Sequence, residues 1–303
     1  MLLYLLLLIS FGFSCQAWDP KEYGINCGFQ YRPEKRIFNG KPLAYEDEYP
    51  WLVDIQPHEF SEQTQKWEVI PGQACNGVLL NDIYVLTTKK CRAIYGNIKY
   101  KIILGVDPYN EPVYEVGDDD LTDIGNITLI KIPKHVSWSR AREPICLPPA
   151  DREVDFNQVN KLDSPINETI SVIKPDSIVV ASYGGIQSQE TDLKQREKRQ
   201  FTGHILTRSD CKKKLLTDLE EDYGPDYPYP DQLCVSRGES DSGSCWQDIG
   251  APVMVQISNG RWHVIGIVFG KTSESCTSGP TVYTRIDVYS YKLREIILAP
   301  RLQ

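Results

Sequence analysis

The sequence predicts an all-β fold, and three observations lead there. Between turn-forming residues, the stretch from Tyr100 to Val116 alternates β-branched and polar side chains, the period-2 pattern of a half-buried strand. The apolar run Val253-Met254-Val255 is short and leaves the turn Gly250-Ala251-Pro252, as a buried strand does. Helix signals are sparse by comparison: Cys211 to Leu219, behind the capping residues Ser209-Asp210, reads as one short helix. A length of 303 residues suits one long all-β unit as well as two ordinary domains, and a hydrophobic fraction of 41% is ample for a core.

Composition narrows the partners. With 33 basic and 41 acidic residues the formal charge is −8, which argues against sequence-independent binding of nucleic acid. Residues Leu2 to Phe13 are almost wholly apolar, too short to span a bilayer, and run into Ser14-Cys15-Gln16-Ala17, whose small residues suit a signal peptidase. Residues 1–17 therefore read as a signal peptide, with Trp18 as the mature start. No later stretch is long and apolar enough for a membrane span, so the mature chain is expected to be soluble, secreted and extracellular.

Secretion changes the meaning of the cysteines. Removing Cys15 leaves Cys27, Cys75, Cys91, Cys146, Cys211, Cys234, Cys245 and Cys276, an even set that reads as four disulfides, each adding about 2 to 4 kcal/mol. Spacing alone leaves all 105 connectivities of eight cysteines open. No pair has the Cys-x-x-Cys spacing of a zinc site, and no metal or cofactor is expected. The acidic run Asp118-Asp119-Asp120 lacks the alternating ligands and Gly of an EF-hand and reads as a solvated loop. The basic clusters Lys194 to Arg199 and Lys212-Lys213-Lys214 read as solvated faces, with a polyanion patch as the sharper alternative.

Taken in order, the mature chain opens with a short polar stretch, 18–36, that ends at Lys35-Arg36 before Ile37-Phe38-Asn39-Gly40 and Tyr49-Pro50-Trp51-Leu52-Val53. Cys75-Asn76-Gly77-Val78-Leu79-Leu80 and Leu86-Thr87-Thr88-Lys89-Lys90-Cys91 follow. Then come Asn126-Ile127-Thr128-Leu129-Ile130-Lys131 and Pro144-Ile145-Cys146-Leu147-Pro148. Ile178 to Gly184 and Cys245-Trp246-Gln247-Asp248-Ile249-Gly250-Ala251-Pro252 complete the set. In this order the segments resemble those of chymotrypsin/trypsin-like serine proteases. They match the activation junction, the Cys-Gly-Gly strand, the Ala-Ala-His-Cys turn, the Asp-Ile-Ala-Leu strand and the Gly-Asp-Ser-Gly-Gly-Pro loop.

The resemblance implies two six-stranded antiparallel β-barrels with a short intermediate helix and a C-terminal helix, Asp287 to Leu298, the whole spanning residues 37–303. It implies a pro-segment, 18–36, tethered by Cys27–Cys146, and the further disulfides Cys75–Cys91, Cys211–Cys234 and Cys245–Cys276. It also implies an activation switch, in which cleavage after Arg36 frees an Ile37 ammonium that pairs with Asp248; a turn-capping role for Asp248 is the plainer alternative. Gly243 stands where basic-residue specificity would need Asp, and Thr281 stands at a glycine of the pocket wall.

At the three reacting positions the sequence departs from the family. Lys90 replaces the His base, Asn126 the orienting Asp and Ile249 the Ser nucleophile. A lysine ammonium cannot accept a proton near neutral pH unless strongly desolvated, and isoleucine carries no atom that could form an acyl intermediate. Gln247 aligns with an oxyanion-hole glycine. Asp241-Ser242-Gly243 spells the nucleophile motif out of frame, so a hydrolase acting through Ser242 is the alternative reading. None of the four histidines, His58, His135, His204 and His263, precedes a cysteine as the family base does. Of two sequons, Asn126-Ile127-Thr128 coincides with the Asp position and is expected to be covered, whereas Asn167-Glu168-Thr169 is expected to carry a glycan. The chain is thus identified as a secreted serine protease homologue expected to lack catalysis. Its partners are expected among extracellular proteins, including active serine proteases and their substrates, in a proteolytic, immune or reproductive pathway.

Overall fold

The computed structural model describes residues 26–30, 48–92, 98–105, 113–148, 178–184, 197–215, 228–229, 231–236, 244, 248–256, 260–270 and 279–299. They form two antiparallel sheets and two short helices. In the first sheet, β1 (Leu52–Ser61) lies between β3 (Cys75–Leu79) and β5 (Ile98–Leu104), and its outer half carries an arm, β2 (Lys66–Val69). The ladder continues through β4 (Tyr84–Thr88) and β8 (Ile127–Lys131) to β7 (Leu121–Ile124) at one edge, with β6 (Val113–Val116) beside β5 at the other.

The two edge strands, β6 and β7, are separated in sequence only by Gly117 and the single helical turn Asp118–Asp120. So short a link holds opposite edges of the sheet together, which closes it into a barrel and removes exposed edges. The acidic run is therefore the barrel's corner, and Arg92 reaches it through Asp118 at 3.7 Å and Asp123 at 3.2 Å.

The second sheet repeats the device. Its order is β10 (Glu197–Gly203), β9 (Ile178–Gly184), β13 (Pro252–Gln256), β14 (Trp262–Gly270), β15 (Thr281–Arg285), β12 (Gln232–Val235) and β11 (Ile205–Leu206). Here the edge strands β10 and β11 are separated only by His204. A side chain on Gly203 would run into Val235 and Ser236 at 2.7 and 2.8 Å, so the corner needs glycine. Counting β6 with β7 and β10 with β11 as single bent strands, and setting the arm β2 aside, each barrel has six strands, as the resemblance implies.

Side-chain alternation explains the packing of β5, where Ile98, Tyr100, Ile102 and Leu104 are buried and the residues between them are half-exposed. Strands β4 and β9 are buried at every position because both of their faces are covered. Between the barrels, Trp51, Tyr49 and Trp262 form an aromatic cluster with ring centroids 5.5 to 6.5 Å apart, and the Trp51 indole N–H points at the Met254 sulfur 2.9 Å away. The cluster ties the core of the first sheet to the second, which also encloses a core of its own around Ile178, Val253, Ile265 and Tyr283.

Three disulfides close the described part: Cys27–Cys146, Cys75–Cys91 and Cys211–Cys234. Cys245 and Cys276 lie outside it. The segment around Cys27 is also seated by hydrogen bonds, since Gly28 donates to the Pro144 carbonyl at 2.7 Å and accepts from the Trp262 amide at 3.0 Å.

The intermediate helix spans Arg208–Lys214 and starts three residues earlier than the Cys211 start that Ser209-Asp210 capping would give. Thr207 is the cap, its hydroxyl oxygen accepting from the Asp210 amide, because Thr207 holds the extended backbone a cap requires. The chain ends in a single turn, Asp287–Tyr289, that runs into the helix Ser290–Leu298. Lys198 leaves the proposed basic patch: it is buried on β10, with its ammonium on the Glu48 carbonyl.

Candidate functional site

The loop from Asp248 to Ala251 enters β13 between the barrels, and backbone geometry fixes it. Gly250 has φ +84°, and a β-carbon there would sit 1.9 Å from the Asn76 carbonyl oxygen and 2.5 Å from the Thr87 hydroxyl. The loop is then bonded on several sides. The Ile249 carbonyl accepts from the Asn76 amide at 2.7 Å, and the Gly250 amide donates to Val268 at 3.0 Å. Val268 returns a bond to Ala251 at 2.8 Å, and Ala251 donates to the Asp248 carbonyl at 2.9 Å. The Asp248 carboxylate accepts the Ser182 hydroxyl at 2.5 Å, an approach that leaves no room for a side chain on Gly184.

Asn76 joins the barrels. It is fully buried on β3, its side-chain carbonyl accepts from the Tyr183 amide of β9 at 2.6 Å, and its main-chain carbonyl accepts the Thr87 hydroxyl at 2.6 Å. Sequence reasoning named Asn76 only within the segment that matches the Cys-Gly-Gly strand; an amide in place of glycine was the available signal, since such a group needs partners when buried.

Facing this loop, Thr88 leads into one helical turn, Lys89–Cys91, pinned by the Cys75–Cys91 disulfide. Asn126 meets the turn with its backbone, its carbonyl accepting from the Lys89 amide at 3.0 Å and the Thr88 hydroxyl at 3.3 Å. Its side chain turns to the other side, donating to Asp231 at 3.0 Å, and Asp231 also accepts the Tyr289 hydroxyl at 3.0 Å. Burial and the Asp231 carboxylate raise the Tyr289 phenol well above its usual pKa. The hydroxyl of the sequon threonine, Thr128, is buried and bonded to Asp123 at 2.6 Å.

Lys90 stands on the exposed side of the turn with its ammonium 4.3 Å above the centre of the Phe269 ring. The water it loses to the ring lowers its pKa below the usual lysine value. Its neighbours Lys89 and Arg92 are paired with Asp123, at 3.7 and 3.2 Å, whereas Lys90 has no carboxylate partner among the described residues. Ile249 is partly buried against the main core, and its carbonyl lies 3.9 Å from the Cys91 sulfur.

The histidines are held elsewhere. His58 and His263 are buried on backbone carbonyls of Gln56 and Arg261, and burial takes the His263 pKa down to about 4. His135 is exposed on Asp82, and His204 marks the corner between β10 and β11. Beneath β15, the Ser244 and Tyr283 hydroxyls bond at 2.8 Å, with Thr281 buried alongside. No cluster of three or more His, Cys, Asp or Glu placed to hold a metal ion occurs among the described residues. Arg36, Ile37, Asn167, Ser242 and Gln247 lie outside them, as do Cys245 and Cys276.

Two six-stranded barrels sharing an aromatic seam, with a glycine-dependent loop anchored between them and a terminal helix, define a chymotrypsin-like protease domain. The chain belongs to the trypsin family, whose model, Trypsin, matches residues 37–293. It is similar to the clotting factor G beta subunit of Tachypleus tridentatus, with 24% identity over 92% of this chain and 86% of that protein. It is also similar to the serine proteinase stubble of Drosophila melanogaster, with 22% identity over 86% of this chain but only 31% of that longer protein. No helix among the described residues is long and apolar enough to cross a membrane.

Proposed function

We propose that this chain is a secreted, non-catalytic member of the trypsin family that works by binding proteins, as cofactor or regulator in an extracellular proteolytic pathway. One observation carries the reading. Where the family needs a base, an orienting acid and a nucleophile, this chain has the Lys90 ammonium over Phe269, the Asn126 amide on Asp231, and an aliphatic Ile249. The similarity to a clotting factor subunit supports a place in such a pathway, immune or reproductive, and the disulfides and apolar leader support secretion.

The proposed organisation is a signal peptide over 1–17, a tethered pro-segment over 18–36 and the protease-like domain from Ile37. The tether is both covalent and hydrogen-bonded at Gly28. Cleavage after Arg36 would free an Ile37 ammonium to join Asp248, a carboxylate already seated by Ser182. Hydrogen exchange at Asp248 to Gly250 before and after that cleavage tests the switch; identical protection in both forms assigns Asp248 to the turn alone.

Catalysis is tested with a fluorophosphonate probe and a peptide pool. The mature protein is expected to take no label and cleave no peptide, and Ile249→Ser is expected to stay inactive because no base would activate the new hydroxyl. Labelled Ser242, or turnover free of contaminating protease, would overturn the reading.

A further inference from the structure

Among the described residues the fold hides most tyrosines. Tyr49, Tyr84, Tyr100, Tyr183, Tyr283 and Tyr289 are buried, and Tyr114 is half-buried against the core in the ladder of β5 and β6. Two reach the surface, Tyr229 at 37% exposure and Tyr291 at 47%. Their surroundings in the chain are opposite. Tyr291 lies on the terminal helix beside Lys292 and Arg294, whereas Tyr229 lies in a stretch from Leu215 to Ser236 that holds Asp218, Glu220, Glu221, Asp222, Asp226 and Asp231 and no lysine or arginine. The backbone presents Tyr229 rather than folding it in. It belongs to no strand or helix and stands between Pro228 and Pro230, the second of which favours extended backbone at the residue before it. Gln232, buried at the start of β12, anchors it: the Tyr229 amide donates to the Gln232 side-chain carbonyl at 2.9 Å, and the Gln232 amide donates back to the Tyr229 carbonyl at 2.9 Å. On the other side the Arg208 guanidinium donates to the Pro228 carbonyl at 3.0 Å. The main chain is thus fixed on both sides of an exposed ring.

We propose that the Tyr229 phenol is a site of O-sulfation, with a nucleotide phosphosulfate as the donor. This rests on the secreted part of the proposed function, because the secretory pathway is where such a transferase meets its substrates. In the transfer the phenol oxygen attacks the sulfur, the bond from sulfur to the bridging phosphate oxygen breaks, and the nucleotide phosphate leaves with that electron pair. The phenolic proton passes to a base of the transferase, and nothing is oxidised or reduced. A transferase that binds so anionic a donor carries a cationic cleft, and an acidic stretch without lysine or arginine is what such a cleft attracts. The same field disfavours Tyr291, beside two cations. Tyr114 shows what the fold adds, since Glu111 and Glu115 give it an acidic context too, yet its place opposite Ile102 in the ladder and against the core keeps it from entering a cleft. Tyr229 alone among the described tyrosines combines acidic context with exposure. A sulfate ester keeps its charge throughout the physiological pH range, so the modification adds a permanent anion to this surface.

The test uses the full chain with its own leader, expressed in a eukaryotic cell culture with and without chlorate, which blocks synthesis of the donor. Tryptic mapping of the reduced and alkylated protein isolates residues 215–237, the stretch between Lys214 and Arg237. In protein from the medium this peptide is expected to be heavier by one sulfur trioxide, to lose that group on collisional activation and to keep it through phosphatase treatment. Chlorate is expected to abolish the increment, and so is Tyr229→Phe, with thermal unfolding verifying that the variant is folded. An unmodified Tyr229, an increment that phosphatase removes, one that chlorate leaves in place, or one that survives Tyr229→Phe because Tyr223 or Tyr227 bears it would overturn the assignment. Two failures are told apart by where the protein is found: retention in the cells refutes the secreted reading and the site with it, whereas secreted protein with an unmodified peptide refutes the sulfation site alone.

Discussion

The loop Asp248–Ala251 and the turn Lys89–Cys91 face each other, yet different forces shape them. Every backbone group of the loop named above is spoken for, and Gly250 is pressed against the Asn76 carbonyl where no side chain fits. The turn is fixed by one disulfide and the Asn126 carbonyl, while its side chains point where charge and packing allow: Lys89 to Asp123 and Lys90 to Phe269. The loop's geometry is thus a folding requirement of the two-barrel body and survives an isoleucine at its centre. Reacting groups at the turn have no such protection, since side chains there can change without unmaking the fold.

The comparison breaks most sharply at Gly250. Gly250→Ala is expected to cost 3 kcal/mol or more, roughly what left-handed strain plus backbone overlap implies, and to abolish recovery of folded protein. A variant melting within about 2 °C of the parent would mean that the loop is not sterically fixed.

Asn76→Ala comes next. It strands the buried Tyr183 amide and removes the link between β3 and β9, for an expected loss of about 2 kcal/mol in urea unfolding.

Asn126→Asp sharpens the contrast from the side of the turn. Restoring the family's acid places a second carboxylate against Asp231, 3.0 Å from the present amide, so about 1 to 2 kcal/mol should be lost at neutral pH. Repulsion raises the pKa of the pair, so the penalty is present at high pH and relieved as pH falls and one carboxyl takes a proton. A variant with the parent's pH profile would show that the side chain does not face Asp231.

Lys90→Met should have the smallest effect on stability, under about 1 kcal/mol, since an exposed ammonium over one ring contributes little to folding. A larger loss of melting temperature would make Lys90 a structural residue and remove the contrast.

The linear chain determined the class of fold and which residues stand at the three reacting positions. Alternation in Tyr100 to Val116 and the order of the motifs are local properties, and whether residue 249 has a nucleophilic atom is settled by its identity alone. The cysteines left every pairing open, and only the resemblance chose among them; folding brings Cys27 to Cys146 across 119 residues. Other features belong to the tertiary structure. Barrel closure depends on β6 and β7, and on β10 and β11, reaching opposite edges across short corners, which no local pattern reveals. The direction of the Asn126 side chain depends on Asp231 and Tyr289, which lie 105 and 163 residues further along, and the setting of Lys90 depends on Phe269 from the other barrel. A rotamer is chosen by whatever neighbours the fold delivers, and those neighbours are remote in sequence because each barrel supplies one wall of the site.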